Sequence, residues 1–282
     1  MMAGASAARY IRSLPDGVDI RQAELQVFSQ FGEDGILQYL VHKAGPLPRV
    51  FVELGVQDYR EANTRFLLMH DNWQGLIVDA SHEGIEAVRR DAISWRHSLI
   101  AVEAFVDAAN ASGLIEAHTP ADEVGVLSID LDGNDYWVWR SLERIQPVIV
   151  IVEYNAVFGA RHAITVPYDP AFSRTAAHFS NLYFGASLRA LAQLADAKGY
   201  GLVGCTSAGN NAFFVRRDRM AALRQVTPEA AFVESRFRES RDPEGRLTYL
   251  AGSDRIQVIL DLPVHDVATD TVVRLRDLAG GV

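Results

Sequence analysis

The chain has one cysteine, Cys205, among 282 residues. No disulfide can close within it, and a reducing compartment is expected. In Leu-Val-Gly-Cys-Thr the thiol falls in a predicted strand and reads as a small buried side chain rather than a nucleophile. No apolar run approaches the length of a bilayer span. The N-terminus lacks the charged-then-apolar pattern of a secretory leader. The expectation is a cytoplasmic protein with no membrane span. Positive charge is also scarce: 27 Lys and Arg face 36 Asp and Glu, a net charge of −9. That balance argues against a general nucleic-acid binder. Arg216, Arg217 and Arg219 lie close together, but such a cluster is more often a solvated face. Repeats and low-complexity tracts are missing.

What is present is an ordinary globular balance, 49% apolar and 22% charged, with room for one large α/β domain or a domain with an appendage. Residues 25–43 predict a helix, and residues 1–24 predict a peripheral segment. A strand follows at 50–54. Helices at 61–72, 83–92, 108–117 and 135–145 then alternate with strands at Gly75–Asp79, 98–104, Val124–Asp130 and Pro147–Glu153. The last strand is continuously apolar, as a parallel strand covered on both faces must be. Strands alternating with helices at this spacing predict right-handed crossovers and a doubly wound, mostly parallel sheet. Residues 155–185 break the rhythm and read as a lid or acceptor loop. A helix at 186–198 precedes two β-like runs, Tyr200–Cys205 and Ala212–Arg216. The Ser-Ala-Gly-Asn-Asn between them suits a hairpin, which introduces an antiparallel strand. Three regions are expected: an N-terminal helical segment (1–49), a cofactor-binding core (50–217) and a C-terminal extension (218–282) with a strand-like Ile256–Leu260.

The chemistry concentrates at strand ends. Glu53 and Gly55 follow the first strand, and Asp79 ends the second, 26 residues after Glu53. Glycine lets the backbone approach a ligand, and an acid at the next strand tip can accept hydrogen bonds from a ribose diol. The full Gly-x-Gly-x-x-Gly of dinucleotide sites is not there, since Gln57 and Arg60 stand at the later positions. A cofactor with a ribose and no phosphate fits better, and S-adenosylmethionine is the common one. Glu53 could instead cap the following helix, and Asp79 could be a simple loop acid.

Residues 128–135, Ser-Ile-Asp-Leu-Asp-Gly-Asn-Asp, hold three carboxylates within six residues. Close like charges raise each other's pKa unless something positive shares them. Mg²⁺ suits such oxygen ligands, and Asp130, Asp132, Glu153 and Asn155 form the expected set. A helix N-cap is the plainer alternative.

These segments together resemble the FkbM-like branch of class I S-adenosylmethionine-dependent methyltransferases. The resemblance runs from Ser29-Gln30-Phe31-Gly32-Glu33-Asp34-Gly35 through Phe51-Val52-Glu53-Leu54-Gly55, Gly75-Leu76-Ile77-Val78-Asp79 and Ser128-Ile129-Asp130. Glu153-Tyr154-Asn155 and Asn211-Ala212-Phe213-Phe214-Val215 extend it, for a coverage of roughly residues 27–217. It implies a seven-stranded sheet with one antiparallel strand. It further implies that Glu53 and Gly55 flank the methionine part of the cofactor and that Asp79 holds the ribose. Phe105 and Val106 would lie near the adenine, and Gln30 would approach from the N-terminal side. Gln57 departs from the glycine common two positions after Gly55.

The activity so implied is O-methylation of a small molecule or saccharide, with Asp130, Glu153 and His162 as catalytic candidates and possible help from a divalent ion. Arg161, Tyr168, Asp169, Tyr183 and Phe184 would line the acceptor pocket. Two rivals stand beside it. One is a metal-dependent glycosyltransferase built on Asp130-Leu131-Asp132, the other a non-catalytic module that keeps the fold. A homo-oligomer stays open.

Overall fold

The computed structural model of the chain describes residues 2–278. Two helices, α1 (Met2–Arg12) and α2 (Glu33–Lys43), precede the alternating core. The core runs β1 (Val50–Leu54), α3 (Arg65–Asp71), β2 (Gln74–Asp79), α4 (His82–Arg90), α5 (Ile93–Arg96), β3 (Leu99–Glu103), α6 (Ala111–Glu116), β4 (Val126–Ile129), α7 (Asp135–Ser141) and β5 (Ile149–Glu153). After it come β6 (Ile164–Thr165), α8 (Arg174–Ala177), α9 (Leu188–Ala197), β7 (Tyr200–Cys205) and β8 (Asn211–Arg216).

The strands form one seven-stranded sheet in the order β3-β2-β1-β4-β5-β8-β7. Strands β1 to β5 pair in parallel, and β8 is antiparallel to both β5 and β7. The sequence predicts this mostly parallel doubly wound sheet with one antiparallel strand. The order reverses between β1 and β4, which opens a crevice beyond their carboxyl ends.

Both faces are covered, because alternate residues of each strand feed separate cores. Val52, Leu76, Leu127 and Val150 pack with Trp139 of α7 and Leu191 of α9 on one face. Phe51, Ile77, Val126 and Ile149 pack with Leu37 and Leu40 of α2 and Leu67 of α3 on the other. Residues 149–152 of β5 are all 0% exposed. At about 1.5–3 kcal/mol for each buried branched side chain, this strand outweighs any local turn preference.

Three expectations change. Residues 1–24 are not peripheral: Ile11, Leu14 and Ile20 are buried in the second core, and α1 packs on α2. Residues 25–32 do not join the helix expected over 25–43. Asp34 Oδ2 accepts the backbone N–H groups of Val27, Phe28 and Ser29 at 2.7–2.9 Å, so it pulls them into a turn ahead of α2. Ile256–Leu260 is no strand. It spans the end of the short helix α10 (Asp254–Gln257) and a turn, because Ile259 drops into a third core with Ile164 and Val264. The strands of that region are β9 (Pro263–Asp266) and β10 (Thr271–Arg274), and β9 pairs with β6 in a small sheet of order β10-β9-β6.

Candidate active site

Strand register brings the chemistry together. Leu54 pairs with Val78 on one side and Ile129 on the other, and Ile129 pairs with Val152. The residues one step further along these strands are Gly55, Asp79, Asp130 and Glu153. They therefore form a row across the carboxyl edge of the sheet. Above it lies a cleft of about 590 Å³ bordered by Gln30, Glu53, Gly55, Asp79, Phe105, Val106, Asp130, Asp132 and Glu153.

Gly55 has φ +80°, and a Cβ there would stand 1.7 Å from the Asp130 carbonyl oxygen. The turn thus needs glycine on both conformational and steric grounds. Asp79 Oδ2 accepts the N–H groups of Val56 and Gln57 at 2.8 and 2.6 Å, and Oδ1 accepts from Ser81 at 2.7 Å. The acid at the second strand tip shapes the turn after the first. Oδ2 is thereby filled, and Oδ1 keeps one lone pair for a ligand. Gln57 has φ +50°, so the residue that departs from the family's glycine still keeps a left-handed backbone.

The Ser-Gln-Phe-Gly-Glu-Asp opening is a clamp. Ser29 Oγ accepts the Asp34 N–H, Glu33 accepts the Phe31 N–H, and Asn211 of β8 donates to Glu33 at 2.9 Å. Gln30 is left exposed at the cleft rim. Glu53 borders the cleft, but its carboxylate accepts the Asn63 and Thr64 N–H groups at the start of α3, and the Thr64 hydroxyl. Its carboxylate takes the capping role that the sequence also allows. Burial lifts its pKa to about 7 in spite of those donors.

Asp130, Asp132 and Glu153 have oxygen atoms within 4.8 Å of one another. Burial, followed by the charge of Asp132, pushes Asp130 well above the usual carboxylate range. Burial and the charge of Asp130 do the same to Glu153, whose Oε2 is buried without a partner. Asp132 adopts φ +55° on a turn held by Asp135, which accepts the Leu131 and Gly133 N–H groups at 2.7 and 3.0 Å. Asp135 is itself pushed up to about 6 by burial. The positive partner is Arg174 of α8: Nη1 donates to Asp132 Oδ1 at 2.7 Å, and Nε donates to the Asn181 carbonyl at 2.9 Å.

Several expected residues sit elsewhere. Asn155 does not join the carboxylates. Its amide nitrogen donates to the Leu182 and Phe184 carbonyls, and its oxygen accepts the Val157 N–H, so its side chain fastens the 155–187 segment. His162 and Arg161 border a separate apolar cavity of about 320 Å³ with Phe158 and Leu275, away from the strand-end row. None of the four residues of the row borders that cavity. Tyr183 is buried in the third core and donates to the Pro263 carbonyl. Tyr168 packs beside Trp137, and Asp169 caps its own turn. Of the five acceptor candidates only Phe184 comes near, bordering a small recess that also contains Glu153 and Arg174.

The cleft also takes Asn63, Phe172, Arg174, Asn210, Phe237 and Glu239. Sequence patterns did not single these out. Arg174 and Phe172 lie in the aperiodic loop, and Phe237 and Glu239 in the extension. Arg216, Arg217 and Arg219 pair with Asp218, Asp196 and Asp218 on the surface, as a solvated face does.

No family model and no curated protein matches the chain. Among solved structures it is similar to a geranyl diphosphate methyltransferase in complex with SAM, at 15% identity over 61% of this chain and 66% of that one, TM-score 0.38. It is similar to a SAM-dependent methyltransferase from Aquifex aeolicus at 9% identity, covering 73% and 96%, TM-score 0.38. It is also similar to an O-methyltransferase family protein from Burkholderia thailandensis at 15% identity, covering 65% and 58%, TM-score 0.37. The chain spans just under two thirds of the first of these, at 66%. Likenesses this distant carry no chemistry over to it.

Proposed function

We propose that the chain is an S-adenosylmethionine-dependent methyltransferase of the FkbM-like kind, acting on a hydroxyl of a small molecule or saccharide. The observation that carries this reading is the in-register row Gly55, Asp79, Asp130, Glu153. It supplies a close-approach turn, a diol acceptor and an acid pair, in that functional order. Three features of the cleft fit the cofactor. Its volume lies in the usual ligand range. Gly55 presents bare backbone, and Phe105 offers an exposed ring (49%) after β3, where an adenine would stack. Tyr59, which could have filled the space, is buried with its hydroxyl on Thr64. That supports a binding cleft over a closed, non-catalytic module.

When bound, the cofactor supplies an electrophilic methyl on a sulfonium. The chain's own task is to align the acceptor and take its proton. Alignment is the larger contribution. In this reading Asp130 and Glu153 stand at the acceptor end, and burial raises their affinity for protons, as suits a group that accepts one. With the methyl on the acceptor oxygen and the cofactor left as a neutral thioether, one of these carboxylates would hold the hydroxyl proton. The recess between Glu153, Phe184 and Phe237 offers aromatic and polar walls for a ring-shaped acceptor.

Calorimetry tests the reading. S-adenosylhomocysteine should bind in the micromolar range in the presence of a chelator. Binding of uridine or guanosine diphosphate alone, and only with a cation, would make the protein a glycosyltransferase. A silent titration with all three would leave a non-catalytic module. Transfer of label from S-adenosylmethionine to extracts would then locate the acceptor.

A further inference from the structure

Among the described residues, Arg174 is the one basic residue that borders the cleft, against eight carboxyl residues: Glu53, Asp58, Glu61, Asp79, Asp130, Asp132, Glu153 and Glu239. It is not a loose surface arginine. Its guanidinium stacks 3.9 Å over the Phe184 ring, its Nε is tied to the Asn181 carbonyl, and its Nη1 reaches Asp132 Oδ1 at 2.7 Å. Three contacts in different directions fix the position of the charge. Planar stacking with directed donors is what a guanidinium provides and an ammonium does not.

The metal reading asked four residues to share a divalent ion. Asn155 has given its amide to backbone groups, and Asp132 has given an oxygen to Arg174. Three carboxylates remain together, Asp132 with one of its two oxygens already on Arg174, and a fixed positive charge stands beside them. The four named residues do not form one ligand set, and the three that gather already have a guanidinium in contact, which opposes a divalent ion.

We infer that Arg174 is a built-in counter-cation, a positioning residue that takes the place of a divalent metal beside Asp130, Asp132 and Glu153. It holds Asp132 turned toward α8, so Asp130 and Glu153 are left as the pair facing the acceptor. The inference builds on the methyltransferase reading for the use of the site, but the charge arrangement can be tested without any turnover.

Titration of the full chain with MnCl₂, followed by calorimetry and by the electron paramagnetic resonance of free Mn²⁺, is the test. The wild type should show no saturable binding below about 1 mM, because the fixed guanidinium repels a second cation at these carboxylates. Arg174→Ala frees Asp132 and should bind Mn²⁺ at least tenfold more tightly. Arg174→Lys keeps a positive charge and should stay closer to the wild type. Asp132→Asn in the Arg174→Ala background should abolish the gain, so a folding defect cannot mimic the result. Micromolar Mn²⁺ binding by the wild type, or no gain in Arg174→Ala while its circular dichroism is native, overturns the inference. S-adenosylhomocysteine titrated in parallel separates the two readings: failure there sinks the methyltransferase and leaves the Mn²⁺ result standing.

Discussion

Gln57 donates its backbone N–H to Asp79 Oδ2 over 2.6 Å, and it does so from a left-handed backbone, φ +50°. One acid therefore fixes the loop after β1 and terminates β2. The same carboxylate is the proposed ribose acceptor, so cofactor binding and loop shape are linked through it.

Asp79→Ala should weaken S-adenosylhomocysteine at least tenfold, since hydrogen bonds to a charged group contribute about 1.5–3 kcal/mol. Asp79→Asn keeps one acceptor oxygen and should fall between the two. Calorimetry reads both. Unchanged affinity in Asp79→Ala would remove the cofactor from this edge of the sheet. Gln57→Gly, by contrast, should be tolerated. It relieves about 1 kcal/mol of left-handed strain, set against a similar gain in unfolded-chain entropy.

Gly55→Ala tests the close approach. The new methyl would collide with the Asp130 carbonyl, 1.7 Å from the ideal Cβ position, and the chain holds φ +80° there. Strain at that φ costs about 1–2 kcal/mol, and the clash with backbone, which cannot rotate aside, adds to it. A loss of about 2 kcal/mol or more in urea unfolding is expected, together with loss of cofactor binding. A variant of wild-type stability would mean that β1 and β4 do not pack here as described.

Glu53 makes a pH prediction with a definite sign. Its folded pKa of about 7 lies above the ordinary 4.5 because burial outweighs its three donors. The folded chain then holds a proton that the unfolded chain has released between those two values. Stability from this group is full below about pH 4.5 and is lost as pH rises through 7. Glu53→Gln does not titrate. The stability of the wild type relative to that variant should therefore rise on going from pH 7.5 to 4.5, by on the order of 3 kcal/mol. Denaturant curves at several pH values measure the difference, and a flat difference would show that Glu53 is solvated.

How much of this was legible beforehand follows from where the signal resides. Strand ends announce themselves because a buried apolar run must stop at a polar residue: Asp79, Asp130 and Glu153 stand at such stops, Gly55 follows β1 directly, and register did the rest. The start of α2 was misread because the apolar period of residues 36–41 says nothing about the carboxylate of Asp34, which reorganises residues 27–29. Arg174 was invisible for a related reason. It sits 42 residues from Asp132 in sequence, on a loop with no period, and only the packing of Phe172 against Gly133 and of Arg174 on Phe184 brings it in. His162 was singled out by residue type, Asn155 by type and by its place just past β5. Type gave no indication that one borders a different cavity or that the other's amide is used up by the backbone.

Asp130→Asn separates chemistry from binding. The side chain stays isosteric, so the Gly55 turn, which meets the backbone of residue 130 and not its carboxylate, should keep its shape. S-adenosylhomocysteine affinity should change less than threefold. Turnover should fall by about 10²–10⁴, the usual contribution of a placed general base. The wild-type rate should rise with pH, because burial and the neighbouring carboxylates hold Asp130 and Glu153 protonated to higher pH than ordinary acids. In Asp130→Asn the remaining Glu153 loses a like-charged neighbour, so any residual rate should begin its rise at lower pH than in the wild type. A pH–rate profile of both proteins decides it: an unshifted profile with full activity would take the proton transfer away from this pair, while the cofactor site at Asp79 could stand unchanged.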